Sequence, residues 1–306
     1  MGLPFEIKQR TIRVLYRIDQ MLPKGLGVCL RNRTWPWGRP VLDCVQVHIV
    51  DHCNLNCAGC THFSPFSAKW FADGEALAGD LAALRAKFRF IRHVVLLGGE
   101  PMLHPRCDGL IRRVRSICPK ATLTLVTNGI LWLKRDVAAM RALAACRETR
   151  ARVMLSVYPP YHERKDELVS LCAEAGVPVR PVMYSDFWAW FEPKGGRDVR
   201  ASFRYCRKTM YCPYLRDGRI YLCPQAYHMR DFAAAAGIDV PLAEGLDVHD
   251  ASLDGRQILR WLMTPGRNCA YCATSFRLAS WRNGRTNAQE WFRTEGKEHA
   301  DDTEAS

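Results

Sequence analysis

The sequence predicts an α/β fold in which a parallel sheet is wrapped by helices and followed by a smaller cysteine-rich unit. Three observations predict it. Short apolar runs recur from residue 44 onward, helix-length segments separate them, and the alternation stops near residue 190, beyond which five cysteines are gathered. With 306 residues, 48% hydrophobic and 25% charged, the chain can build a sizeable core, and its composition excludes a disordered body.

Residues 5–24, FEIKQRTIRVLYRIDQMLPK, place Ile7, Ile12, Leu15, Ile18 and Leu22 near one helical face with basic residues elsewhere. A core-docking amphipathic helix is expected within an N-terminal unit over 1–40; peripheral membrane contact through its basic side is the alternative. Strands are expected in CVQVHIV (44–50), HVVLLGG (93–99), ATLTLVTNG (121–129), ARVMLSVY (151–158) and VPVRPVMY (177–184). Helices are expected over Asp80–Phe88, Pro105–Ile117, Val137–Cys146 and Asp166–Ala175. These form a parallel-sheet core of βαβ units over 41–190, and in such folds ligands sit at the carboxyl ends of the strands. A second unit spans 191–293, with a turn at Asp217-Gly218 and a helix over Gly255–Met263; the polar tail 294–306 is predicted disordered. No apolar run approaches the roughly 18 residues of a membrane span. Lys8, Arg10, Arg13, Arg17 and Lys24 interrupt any signal-peptide core, so a cytoplasmic protein is expected.

The formal charge of +13, from 44 basic and 31 acidic residues, favours an anionic partner or substrate such as a phosphate, a nucleotide-linked sugar or a lipid headgroup; a solvated basic surface accounts for it equally. Fourteen cysteines in a reducing compartment point to metal or redox chemistry.

Cys53-x-x-x-Cys57-x-x-Cys60 places three thiols just past the first strand. A structural zinc site closes with four ligands, and His52 and His62 are the nearest candidates for the fourth. An iron–sulfur cluster held by three cysteines instead leaves one iron open to an exogenous ligand. Together with Gly98-Gly99-Glu100-Pro101 after the second strand and Ser156 ending a later one, the motif resembles the radical S-adenosylmethionine (radical SAM) enzymes. The resemblance covers roughly residues 40–185. It implies a partial (β/α)6 TIM-like barrel with a [4Fe–4S] cluster on Cys53, Cys57 and Cys60, whose fourth iron is chelated by SAM. By the same resemblance Gly98 and Gly99 approach the SAM amino group, Glu100 pairs with it, and Ser156 with Thr127 or Asn128 serve the ribose and carboxylate. The family usually carries an aromatic residue just before the third cysteine; here it is Gly59, leaving the adenine contact to His62 or Phe63.

Cys206, Cys223 and the pair Cys269-x-x-Cys272 resemble the Twitch domain, a shortened SPASM domain, which implies a second, auxiliary [4Fe–4S] cluster. A zinc ribbon is the competing reading of these four residues. Cys212 is surplus: it replaces Cys206 as a ligand, donates a hydrogen atom to the substrate, or is a buried thiol without a role. Cys29, Cys44, Cys107, Cys118, Cys146 and Cys172 are read as small buried hydrophobes.

The resemblance implies reductive cleavage of SAM to a 5'-deoxyadenosyl radical and hydrogen abstraction from a small polar substrate: a sugar, an aminocyclitol, or a nucleotide- or lipid-linked glycan. Oxidation or epimerisation follows, with a flavodoxin or ferredoxin as electron donor. Tyr158, His162, Tyr205, Tyr211 and Tyr214 are candidate substrate contacts, with packing the competing role for each. The alternatives are a radical SAM peptide maturase and a zinc-stabilised nucleic-acid-binding protein. Nucleic acid is disfavoured, because the sequence has no helix-turn-helix signal or arginine-rich run.

Overall fold

A computed structural model describes residues 39–206 and 213–292. The expected N-terminal helix, Cys212 and the tail lie outside the described residues. Five strands fall where the apolar runs predict them: β1 (Val41–Val50), β2 (Phe90–Gly98), β3 (Thr122–Thr127), β4 (Arg152–Val157) and β5 (Val179–Met183), each paired in parallel with the next. Between them lie α1 (Gly74–Ala86), α2 (Cys107–Ile117), a single turn α3 (Ile130–Leu133), α4 (Val137–Glu148) and α5 (Lys165–Glu174). Helix α1 begins six residues before the expected Asp80. The Asp73 carboxylate caps it by accepting from the backbone N–H groups of Glu75 and Ala76, and its Gly- and Ala-rich first turns hide the apolar repeat.

Strand alternation divides the sheet into two faces. Val45, Val47, Ile49, Val94, Leu96, Leu123, Leu125, Val153 and Leu155 point outward and are buried against Leu81 and Leu84 of α1, Ile111 and Val114 of α2, Leu143 of α4 and Leu168 of α5. Each such fully buried aliphatic side chain contributes about 1.5–3 kcal/mol. Cys107, Cys118, Cys146 and Cys172 belong to this core, as expected. The opposite face, with Gln46, Val95, Leu97, Val126, Met154 and Ser156, lines a cavity.

Beyond residue 185 the chain returns twice to this body. β6 (Asp186–Phe191) pairs antiparallel with β10 (Cys272–Ser280) in a separate two-stranded ribbon. After α6 (Val199–Tyr205), β7 (Tyr214–Arg216) hydrogen-bonds in parallel to β1, supplying a sixth parallel strand from the segment assigned by sequence to the second unit. β8 (Arg219–Tyr221) and β9 (Gly245–Asp247) extend the sheet antiparallel, giving the order β5-β4-β3-β2-β1-β7-β8-β9. The expected Asp217-Gly218 turn joins β7 to β8, with φ of 48° and 71°, the left-handed pair a two-residue type I′ turn requires. Helices α7 (Pro224–Ala236) and α8 (Gly255–Leu262) complete the described chain. Among the described residues, no helix is long and apolar enough to cross a membrane.

A second core of Phe63, Phe191, Met229, Phe232 and Trp291 joins the segment after the third cysteine to the ribbon, to α7 and to the turn at 288–291.

Candidate active site at the carboxyl ends of the strands

The loop after β1 is held by backbone. Val50 and His52 accept hydrogen bonds from the N–H groups of Gly99 (3.0 Å) and Glu100 (3.1 Å). A Cβ on Gly98, where φ is +153°, would overlap the Val50 carbonyl oxygen, and one on Gly99 the carbonyl of His52. The two glycines therefore serve first to let the end of β2 close onto the cysteine loop.

Glu100, 1% exposed, accepts from Thr127 Oγ1 (2.7 Å) and from the backbone N–H groups of Asn128 (2.8 Å) and Met102 (3.1 Å). Burial pushes its carboxyl up to about 7 against those hydrogen bonds. Thr127 Oγ1 also accepts from the Gly129 N–H, so Glu100 and Thr127 bracket the ends of β2 and β3. Asn128 directs its amide toward the cysteine loop, donating to Asn54 Oδ1 (2.7 Å) and approaching Cys53 Sγ (3.8 Å). Ser156 is hydrogen-bonded to Tyr184.

Cys53, Cys57 and Cys60 all line one cavity of about 460 Å³, together with Gly98, Gly99, Glu100, Thr127, Asn128 and Ser156. The distal end of the chain clamps this loop. Trp281 Nε1 donates to Cys57 Sγ at 3.2 Å, Trp291 Nε1 to the Cys60 carbonyl at 2.9 Å, and the Ala58 N–H to the Arg282 carbonyl at 3.0 Å. Burial pushes the Cys57 thiol up to about 12 and that of Cys53 well above its ordinary value, so an arriving cation must displace their protons. Three convergent thiols, with an indole N–H on one sulfur and an amide near another, fit an iron–sulfur cluster with one open iron.

The aromatic wall departs from expectation. Phe63 is fully buried in the second core, stacked on Phe232 with centroids 4.7 Å apart, and does not line the cavity. His62 does. Phe187 packs against Gly59, its Cβ 3.1 Å from where a Cβ there would stand, and lines the cavity with Tyr158 and Tyr184. Tyr158 stacks between Tyr184 (5.6 Å) and Trp281 (5.6 Å). Of the other candidate contacts, His162 lies 3.3 Å from the Tyr184 carbonyl, and Tyr214 is buried against His228. Tyr211 and the Tyr205 side chain lie outside the described residues. Among the described residues, no arginine or lysine lines the cavity; its exposed carboxylate is Asp186.

Beneath the loop, Asp51 accepts two hydrogen bonds from Arg216 (2.9 and 3.0 Å), whose guanidinium lies 3.2 Å from the Trp70 ring centroid. Burial alone would raise the Asp51 carboxyl, but the two hydrogen bonds from Arg216 and the nearby His48 ring, 3.6 Å away, hold it well below the usual carboxylate range. His48 stacks on His228 (4.7 Å), and burial lowers its pKa to about 4. His48, Asp51 and His228 bring ligand-type atoms within 4.8 Å of one another, but Arg216 already neutralises their carboxylate. Sequence reasoning missed this group, although polar Gln46 and His48 at alternate positions of an apolar strand were its signal.

Cys206, Cys223, Cys269 and Cys272 come together along a second, smaller cavity of about 100 Å³. Cys223 caps α7, its sulfur accepting from the Ala226 N–H at 3.4 Å.

Residues 47–182 match the Radical SAM superfamily. The chain carries a radical SAM domain. Its curated relatives include the GTP 3',8-cyclases of Streptomyces coelicolor, 33% identical over 110 residues (35% of this chain, 31% of that protein), and of Mycobacterium marinum, 30% identical over 189 residues (57% and 49%). The chain thus spans about a third to a half of the length of these relatives. Solved structures superpose loosely: BtrN in complex with AdoMet and 2-DOIA at 16% identity and a TM-score of 0.41 (61% of this chain, 75% of that one), and anSMEcpe with bound AdoMet at 12% and 0.39 (76% and 83%). The radical SAM domain accounts for β1–β5 and the three-cysteine loop, and the family implies a [4Fe–4S] cluster and SAM.

Proposed function

We propose that this protein is a radical SAM oxidoreductase acting on a small polar substrate in the cavity beside Cys53, Cys57 and Cys60. Bound there, the cluster and SAM supply a 5'-deoxyadenosyl radical, and a second cluster on Cys206, Cys223, Cys269 and Cys272 supplies an electron acceptor. Asn128 and Asn54 fix the Cys53 side of the loop, while Trp281 and Phe187 close the site against water. Gly99, Glu100 and Ser156 line the wall assigned to SAM.

One observation carries oxidation over epimerisation. Gln225 lines the first cavity and Cys223, the residue that caps α7, lines the second, so the start of α7 borders both the cavity assigned to the substrate and the four cysteines. Epimerisation through hydrogen return from Cys212 is the second reading, tested by Cys212→Ala, which would stall it and leave oxidation running. A nucleotide substrate, suggested by the names of the curated relatives, is disfavoured by the cavity's lack of arginine and lysine among the described residues.

Anaerobically prepared protein is expected to be brown, with about eight irons per chain, and to release 5'-deoxyadenosine from SAM once reduced. Cys57→Ala should abolish that product. Colourless protein with stoichiometric zinc, or unchanged turnover in the variant, would overturn the reading.

A further inference from the structure

Gln46 Oε1 and Ser64 Oγ are buried with no hydrogen-bond partner among the described residues. Both residues line the larger cavity, Gln46 from the inward face of β1 and Ser64 from the short turn Ser64–Phe66 after the third cysteine. Gln225, 7% exposed, completes the same wall from the start of α7. This wall lies on the β1 and α7 side of the cavity, whereas Thr127, Asn128 and Ser156 occupy the ends of β3 and β4. A buried amide oxygen and a buried hydroxyl without partners are destabilising until a ligand or water satisfies them. What they ask for is hydroxyl groups: Gln46 Oε1 accepts, and Ser64 and Gln225 can both donate and accept.

The electrostatics narrow the class. Phosphate recognition relies on cationic or clustered backbone donors. The described lining holds no arginine or lysine and does hold Asp186. Val95, Leu97, Val126 and Met154 supply apolar surface suited to the C–H faces of a ring. We propose that Gln46, Ser64 and Gln225 form the specificity-determining subsite for a polyol that carries no phosphate, such as a cyclitol or a hexose. The inference rests on the radical SAM reading and adds the substrate class and the residues that select it. A site of this kind rejects an analogue lacking the hydroxyl that its polar groups await.

The test uses the reconstituted holoenzyme with SAM in equilibrium dialysis. The neutral probes are myo-inositol, scyllo-inositol and glucose; the charged probes are myo-inositol 1-phosphate, glucose 6-phosphate and GTP. At least one neutral polyol is expected to bind about ten-fold more tightly than any charged probe. Gln46→Leu and Ser64→Ala should each weaken it about five- to ten-fold, the effect of one lost hydrogen bond. Iron content and the melting temperature report whether each variant is folded, and the two substitutions check each other. Tighter binding of a phosphorylated probe, no binding of any neutral probe, or variants that weaken SAM rather than the polyol would overturn the proposal. Failure of the underlying reading looks different: SAM would then leave the electron paramagnetic resonance spectrum of the wild-type cluster unchanged.

Discussion

Trp281 and Cys57 lie 224 residues apart in sequence and 3.2 Å apart in space, the indole N–H of one donating to the sulfur of the other. The same indole stacks on Tyr158, so the last strand's exit both covers the cysteine loop and tunes one of its sulfurs.

Trp281→Phe keeps most of that stacking and removes the donor. A hydrogen bond to a ligating sulfur stabilises the more negative, reduced form of a cluster. The variant should therefore shift the cluster's midpoint potential downward by tens of millivolts, measured by redox titration with electron paramagnetic resonance. An unchanged potential would mean that the indole only packs.

Arg216→Met should destabilise the protein by about 3–5 kcal/mol in urea unfolding, because it strands the Asp51 carboxylate in a buried site. Replacing Asp51 and Arg216 together by Asn and Met should recover much of the loss, since the stranded charge goes with its partner. Asp51 lies two residues before Cys53, so iron occupancy is expected to fall in the single variant and to return in the double one.

The pH dependence of stability carries the signature of His48. Its folded pKa is lowered to about 4 from 6.5, so below pH 6.5 the unfolded chain binds a proton that the folded chain refuses. The stabilisation is complete well above 6.5 and is lost as the pH falls, by about 1.5 kcal/mol between pH 6.5 and 5. His48→Phe keeps a ring between His62, Tyr214 and His228, leaves Asp51 and Arg216 in place, and should flatten that limb of the stability curve. A limb of unchanged slope would assign the dependence elsewhere.

Much of the barrel was legible because strands buried on a helix-covered face write themselves as runs such as Val-Val-Leu-Leu at 94–97, and because glycines at 98 and 99 mark where backbone must approach backbone. Cys53, Cys57 and Cys60 were legible as a unit because one short loop holds all three. The four distal cysteines share a cavity that only folding could assemble, yet their resemblance to the Twitch domain implied a shared site. What stayed hidden depends on long-range closure. Nothing local marks Trp281 or Phe187 as neighbours of the cysteines, and β7, three residues long, is too short for periodicity to reveal that it pairs with β1. Of the two residues offered for the adenine contact, His62 lines the cavity, whereas at Phe63 a left-handed backbone, φ 54°, turns the ring into the second core.

The β7 pairing also bears on synthesis. Until Tyr214–Arg216 emerges from the ribosome, the first strand of the nascent sheet has a bare rim of amide and carbonyl groups, open to any other extended segment nearby. A truncated chain ending near residue 190 would keep that rim permanently and is best avoided in expression work, however complete it looks on paper.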